Sequence, residues 1–328
     1  MKPAYMRISP TNINGKATYR LMIVLRTSGC QYAQENGGCT VCGFINHSKK
    51  KLSDKDILNQ FEFALKSMYY KNIKEIDLLT LGSFFNDREI SSDIRQSLFS
   101  RLGTMNGISR VLIESRAEYL TYEKLVLCKK ILRKKTILEF GIGLESANDH
   151  IRNNIIKKNL SREDFEHVVS TVKMAGCDLL VYILIKPPSI SEAQAINDAI
   201  DTAKYVHKVA EKYNIRARIA YEPVFVCENT PLEILFFNNE YHLANLWSVV
   251  EIVRRSHHLR SHHLRSIYVG LSDENLSLER VPSSCPKCYK HIINTIEFYN
   301  QTQNISLLEK LTCECKKDYM LKMQKDEL

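Results

Sequence analysis

Short runs of β-branched and apolar residues alternate along the chain with longer segments whose apolar positions recur at helical spacing. The runs at 19–25, 75–80, 110–113, 136–141, 178–185 and 215–221 predict strands, being rich in Ile, Val and Leu. Amphipathic stretches at 54–69, 89–102, 121–133, 162–175 and 191–213 predict the helices between them. Strand–helix repetition of this kind predicts an α/β fold with a parallel sheet and right-handed crossovers. The length favours a curved, barrel-like sheet, in which chemistry sits at the C-terminal ends of the strands.

After residue 255 the pattern changes. Residues 256–265 repeat the five-residue unit Ser-His-His-Leu-Arg in tandem. Phosphate contact or adventitious metal binding is one reading of its four histidines; a solvated insertion from local duplication is the expected one. The division is therefore a core domain over 1–255 and an extension over 256–328.

Composition narrows the classes. With 328 residues, 44% of them hydrophobic, the chain can bury one large core plus a small appendage. It lacks the run of roughly 18 apolar residues that a membrane span needs, so no membrane association is expected. The first residues contain no apolar signal-peptide core, and the ten cysteines then point to a reducing cytoplasm and to metal. The final four residues, Lys325, Asp326, Glu327 and Leu328, spell an ER-retention address that is unreadable without a signal peptide. They are expected to lie in a charged C-terminal helix. The net charge of +9 permits a polyanionic partner such as tRNA, or simply reflects a Lys-rich surface.

The strongest chemical signal is a polar, Gly-rich loop directly after the strand at 19–25, carrying Cys30, Cys39 and Cys42. Three thiolates on a short loop suit a [4Fe-4S] cluster with one iron left open to a small molecule. A zinc site completed by His47 is the alternative, while a disulfide would need an oxidising compartment. Of the 12 glycines, those at 29, 37, 38, 43, 82, 141 and 143 fall in this loop or at proposed strand ends, which predicts close backbone approach to a ligand there. A second set, Cys285-x2-Cys288 and Cys313-x-Cys315, reads as a closed tetrahedral site, most simply structural zinc, with a second iron–sulfur cluster as the alternative. Cys128, Cys177 and Cys227 stand alone and read as core residues.

Cys30-x8-Cys39-x2-Cys42 after the first strand of a six-fold β/α repeat resembles the radical S-adenosylmethionine (radical SAM) superfamily. Leu81-Gly82-Ser83-Phe84, Glu114-Ser115-Arg116 and Gly141-Ile142-Gly143-Leu144-Glu145-Ser146, at three successive strand ends, agree with it. Within the superfamily, Gly37-Gly38-Cys39-Thr40-Val41-Cys42-Gly43-Phe44 and the run from Gly82 to Ile90 are similar to the radical SAM subunits of archaeosine synthases. So are Glu114–Tyr119, Gly143–Asp149, Lys186-Pro187-Pro188 and the terminal cysteine pairs, and the likeness extends from residue 20 to 317. Tyr32 replaces an expected Trp, Ala117 replaces a commoner Pro, and the His-rich repeat is extraneous to the pattern.

The resemblance implies a partial (β/α)6 TIM-like barrel. It implies that Cys30, Cys39 and Cys42 hold a [4Fe-4S] cluster whose open iron binds S-adenosylmethionine (SAM), and that one-electron cleavage yields a 5′-deoxyadenosyl radical. Gly82 and Ser83 would meet the methionine ammonium, Arg116 its carboxylate, and Glu114 or Glu145 the ribose or ammonium, beside Gly143. The implied reaction is a C–N lyase step on a lysine adduct of a 7-deazaguanine base in tRNA, giving archaeosine. The implied partners are tRNA, a separate lysine-transferring subunit and an external electron donor. Asn148 and Lys186 would face substrate, and Arg152, Lys157 and Lys158 could track a phosphate backbone. Two other classes fit the residues: a related radical SAM enzyme acting on a metabolite or peptide, and a non-catalytic zinc protein that binds RNA. Salt-sensitive tRNA binding separates the first from the lyase, and metal content with SAM cleavage separates the second.

Overall fold

In a computed structural model, which describes residues 1–49, 51–70, 72–271 and 276–324, the chain divides into two compact units. The first comprises Met1–Gly38, Phe44–Ile142 and Glu163–Leu180; the second comprises Cys39–Gly43, Gly143–Arg162 and Val181–Leu328.

The first unit opens with an antiparallel hairpin of β1 (Tyr5–Ile13) and β2 (Lys16–Leu25). Its two-residue turn, Asn14-Gly15, takes φ of 52° and 80°, the left-handed pair that matches the twist of a tight hairpin. The sheet thus gains a strand ahead of the first expected repeat. There follow α1 (Gln31–Asn36), α2 (Asp54–Leu65), β3 (Ile73–Thr80), α3 (Ser92–Gly103), β4 (Arg110–Glu114), α4 (Tyr122–Ile131), β5 (Ile137–Glu145), α5 (Arg162–Met174) and β6 (Asp178–Ile185). β2 pairs with β3, β3 with β4 and β4 with β5, all in parallel. The helix starts are written locally: Ser53, Ser91 and Thr121 accept the N–H of Asp56, Ile94 and Lys124, satisfying donors that the first helical turn leaves open. Ile57 and Phe61 of α2 and Leu98 and Phe99 of α3 are buried with the alternating apolar positions of β2 to β4.

The second unit carries α6 (Glu192–Lys212), β7 (Ala217–Pro223), α7 (Pro231–Phe237), α8 (Leu246–Ser256), β8 (Leu264–Val269), α9 (Tyr289–Thr302), α10 (Ser306–Glu309) and α11 (Glu314–Gln324). β7 and β8 are parallel. Among the described residues the sheet has eight strands, ordered β1-β2-β3-β4-β5-β6-β7-β8. All six expected strands are present, with ends shifted by at most four residues, and the α/β repeat is that of the expected partial barrel.

The His-rich repeat is not a solvated insertion. Ser256 closes α8, His257–Leu259 form one 3-10 turn, and Leu264 begins β8. Leu259 and Leu264, equivalent in the two units of the repeat, are both buried, and His257 Nδ1 lies 3.1 Å from the Tyr299 hydroxyl on α9. Cys128 and Cys177 are core residues as expected, but Cys227 is only half buried. The terminal Lys325–Leu328 address lies outside the described residues. No described helix is long and apolar enough to cross a membrane.

Away from the strand C-termini, the first unit buries charge. Glu75 and Asp77 lie two residues apart on β3 and therefore on one face, and both are fully enclosed. Glu75 accepts from the Thr11 hydroxyl at 2.8 Å and pairs with Arg110 at 3.1 Å; Asp77 pairs with Arg20 at 3.0 Å, whose Nε donates to Ser9. One side chain removed from such a pair leaves its partner buried and uncompensated. Arg110→Ala is expected to cost about 3–5 kcal/mol of unfolding free energy, read as a lowered urea midpoint. A loss no larger than that of an exposed Lys→Ala variant would refute the role of this pair.

Candidate functional site

The cysteine loop leaves the C-terminal end of β2. Thr27, fully buried, accepts the Gly29 N–H at 3.2 Å and donates to Glu89 at 3.2 Å. Gly29 takes φ +90°, and a Cβ there would lie 2.7 Å from the Ser48 Cβ, so both conformation and space require glycine. Cys30 is the N-cap of α1 and its carbonyl accepts the Gln34 N–H at 3.1 Å. Gly37 and Gly38, at φ +78° and +75°, end α1 with consecutive left-handed residues.

The next stretch is held within the second unit. Thr40 N–H donates to Ile156 O at 2.9 Å and Thr40 Oγ1 to Ile155 O at 2.7 Å, while its carbonyl accepts the Leu232 N–H of α7 at 3.2 Å. Cys42 N–H donates to Cys39 O at 3.2 Å. Val41 packs on the buried cluster of Val224, Val226, Leu232 and Tyr241. None of Cys30, Cys39 and Cys42 is in a disulfide, and none is buried.

At the end of β3, Gly82 has no room for a side chain: a Cβ would strike the Glu89 carboxylate and lie 2.7 Å from Cys30 Cα. Glu89 accepts the Ser83 N–H at 2.9 Å and an Asn86 amide proton at 3.4 Å, besides the Thr27 hydroxyl. Arg95 of α3 braces this turn through the Phe84 and Ile90 carbonyls. Ser83 is buried with its hydroxyl accepting the Arg116 N–H at 3.2 Å, and Phe84 N–H donates to the Glu114 carbonyl at 3.0 Å. The Arg116 guanidinium lies 4.1 Å from the Tyr32 ring centre and bonds Glu118 at 2.5 Å. Cys30, Gly82, Ser83, Glu114 and Arg116 are thereby joined by direct contacts within one unit. Glu89 was not singled out by the sequence reading; its only signal was an acid in a polar run that follows a strand end.

In the second unit Glu145 ends β5 with φ +66°, a conformation that a side chain disfavours, and pairs with Lys158 at 2.7 Å. A Cβ on Gly143 would strike the Glu145 carboxylate and lie 2.5 Å from Lys158 Nζ. Asn148 is exposed, and its side chain accepts the N–H groups of His150 and Ile151, capping the π-helical turn His150–Ile155. Arg152 does not track a backbone: it is fully buried, bonding the Leu160 and Ser146 carbonyls and Asp149. Lys158 is likewise committed to Glu145, and Lys157 takes φ +58° at the end of the same turn. Lys186 follows β6 at φ +62° and is buried, its amine 3.4 Å from the His242 carbonyl and 5.4 Å from the Tyr241 ring centre. Burial holds its pKa below the usual lysine range.

The C-terminal cysteines converge. The sulfurs of Cys285, Cys288, Cys313 and Cys315 all lie within 4.8 Å of one another, with Cys285–Cys288 at 3.4 Å, Cys285–Cys313 at 3.7 Å and Cys288–Cys315 at 3.5 Å. Four thiolates on one tetrahedral ion with metal–sulfur bonds of about 2.3 Å stand about 3.8 Å apart, so the set fits a single ion. A four-iron cube binds thiolates at its outer corners and needs them more widely spaced. The Trp247 indole N–H donates to Cys315 Sγ at 3.3 Å.

The donor chemistry of the first loop also fits its expected group. Three thiols, none of them buried, on a loop with successive left-handed glycines suit the sulfurs of an iron–sulfur cluster. Burial pushes the Glu89 carboxyl up to about 7, against the lowering effect of its bonds from Ser83, Thr27 and Asn86. The folded protein then holds this proton more tightly than the unfolded chain does. The Glu89 contribution to stability is full below the ordinary value of 4.5 and is lost as pH rises from there to about 7. Glu89→Gln should flatten this decline and raise stability at pH 8 by about 2–3 kcal/mol. Urea midpoints across pH 4–8 test it, and parallel profiles for the two proteins would refute it.

No family model matches the chain. An uncharacterised protein of Methanocaldococcus jannaschii is 33% identical over 305 residues, which cover 90% of this chain and 80% of that protein. Archaeosine synthase subunit beta of Methanosarcina acetivorans is 29% identical over 306 residues, covering 93% and 85%. Among solved structures, Elp3 of Methanocaldococcus infernus superposes with a TM-score of 0.55 at 15% identity over 76% of this chain, which spans 62% of that protein's length. A radical SAM methyltransferase from Sphaerobacter thermophilus superposes with a TM-score of 0.50 at 9% identity, over 83% of this chain and 75% of that one. At such identities the two structures speak for the fold alone. The chain belongs to the family of the M. jannaschii protein, is similar to archaeosine synthase subunit beta, and shares its fold with solved radical SAM proteins.

Proposed function

We propose that the chain is a radical SAM lyase of archaeosine formation, acting on a lysine adduct of a 7-deazaguanine base in tRNA. The observation that carries this reading is the likeness to archaeosine synthase subunit beta over 93% of the chain, with the Cys30, Cys39 and Cys42 loop intact. A [4Fe-4S] cluster with bound SAM supplies a 5′-deoxyadenosyl radical when an electron donor reduces it.

The chain's own residues hold and orient. Cys30, Cys39 and Cys42 ligate the cluster. Gly82 keeps the turn after β3 flat against Cys30, because any side chain there collides with Glu89. Arg116, stacked on Tyr32 and tied to Glu118, presents a fixed guanidinium suited to the methionine carboxylate. Ser83 fixes the Arg116 backbone. Glu114 and Glu145, at the ends of β4 and β5, serve ribose or ammonium, with Gly143 clearing the space in which the Glu145 carboxylate lies. Asn148 and Lys186 stay on the substrate side, Lys186 as a desolvated amine rather than a phosphate contact. The extension over 256–328 carries one tetrahedral ion, which we assign as zinc, on Cys285, Cys288, Cys313 and Cys315. The partner subunit transfers lysine before this chain acts, and the basic balance of +9 serves the tRNA.

The test is anaerobic reconstitution with iron and sulfide, reduction with dithionite, and measurement of 5′-deoxyadenosine from SAM. Wild type should produce it and Cys39→Ala should not, and tRNA bearing the lysine adduct should stimulate it. Production without any response to that tRNA would move the substrate to a metabolite or peptide. A colourless protein that never cleaves SAM would overturn the enzyme reading.

A further inference from the structure

Besides Cys315 and Tyr319, helix α11 meets α8 through Lys316, whose amine lies 5.0 Å from the Trp247 ring centre. Tyr319 is the only buried side chain among its described residues, and Met320 and Leu321 point to solvent. An 11-residue helix with one buried residue does not dock through apolar burial. Two anchors four residues apart, Cys315 and Tyr319, lie on one face of the helix. Both meet adjacent residues of α8: Trp247 Nε1 donates to Cys315 Sγ at 3.3 Å, and the Ser248 hydroxyl lies 2.6 Å from that of Tyr319.

The contact with Ser248 has a direction. Ser248 Oγ donates its one proton to Glu192 Oε1, so it accepts from Tyr319. The same Glu192 oxygen accepts the Asn245 N–H at 2.8 Å. Asn245 ends the segment in which the His242 carbonyl lies 3.4 Å from the Lys186 amine. Lys186 carries the left-handed backbone after β6, and its carbonyl accepts the Tyr241 hydroxyl at 2.8 Å. Tyr319, Ser248, Glu192 and Lys186 are exposed by 5%, 1%, 4% and 6%, so water does not substitute for any of these links.

We propose that the ion on Cys285, Cys288, Cys313 and Cys315 docks α11 so that Tyr319 completes the buried chain Tyr319–Ser248–Glu192 behind Lys186. The C-terminal centre is then a positioning device for the end of β6, and Tyr319 is a positioning residue. This rests on the metal reading above, and the experiment separates the two.

The full-length protein carries a single tryptophan, Trp247, beside the sulfurs, so its emission reports the occupancy of the centre. Zinc content, Trp247 emission, and amide exchange over 184–192 and 314–324 are measured in three samples: zinc-loaded, chelator-treated, and zinc-loaded Tyr319→Phe. Chelation should shift the emission and speed exchange in both segments. Tyr319→Phe should keep its zinc and its emission yet speed exchange over 184–192 by about tenfold, the value of one buried hydrogen bond. Zinc release that loosens 314–324 and leaves 184–192 unchanged overturns the coupling. Unchanged exchange over 184–192 in Tyr319→Phe does the same. A protein that retains no zinc overturns the metal reading, and Tyr319→Phe then still tests the link to Lys186.

Discussion

One buried carboxylate, Glu89, ties together the loops that leave β2 and β3 in the first unit. It takes a hydroxyl proton from Thr27, a backbone N–H from Ser83 and an amide proton from Asn86. A carboxylate so enclosed is costly unless its oxygens are occupied, so the folded loop geometry and the acid sustain each other. From Glu89 the contacts run onward. Ser83 accepts the Arg116 N–H, Arg116 stacks on Tyr32, and Tyr32 lies two residues beyond Cys30. The chain then returns through Thr27 to Glu89. Gly82 sits inside this ring of contacts, and its missing side chain lets the turn after β3 approach Cys30. The parallel pairing of Leu25 with Thr80 delivers both loops at the same height.

Much of this was legible in the sequence because it depended on local signals. Strand periodicity located six of the eight strands, and β6 falls where the apolar run from Asp178 to Ile185 places it. Glycine clustering marked Gly29, Gly82 and Gly143, and each proves to lack space for a side chain. The paired spacing of the last four cysteines predicted their convergence. What escaped was tertiary. β1 carries Ser, Pro, Thr and Asn and reads as a polar leader; it becomes a strand because Asn14-Gly15 folds it back on β2. β8 begins inside a histidine-rich repeat whose composition hides two buried leucines. A charge in a polar run carries no mark of burial, so nothing in the sequence marked Glu89, Arg152 or Lys186 as buried.

Non-glycine residues with left-handed backbone recur where strands end. Glu145 closes β5 at φ +66° and Lys186 follows β6 at φ +62°. Such residues persist where surrounding bonds over-determine them. Glu145 is held by Lys158, and Lys186 by the Tyr241 hydroxyl on its carbonyl. Both strand ends thus hold a charged side chain in a conformation that a free loop would relax.

The two cysteine sets show how the same ligand serves opposite ends. Four sulfurs within 4.8 Å, with an indole N–H donated to one of them, leave an ion no open coordination position, and a closed shell of this kind can only fix structure. Three thiols on a polar loop, with left-handed glycines at 29, 37 and 38, would leave a four-iron cluster one corner short of protein ligands. The difference lies in the backbone. α9 starts directly at Cys288, and Cys313 and Cys315 flank the start of α11, so helix termini carry three of those four sulfurs. The first loop is bounded instead by a strand end and a short helix that glycine terminates. The two cysteine sets therefore differ in secondary-structure context while using one residue type.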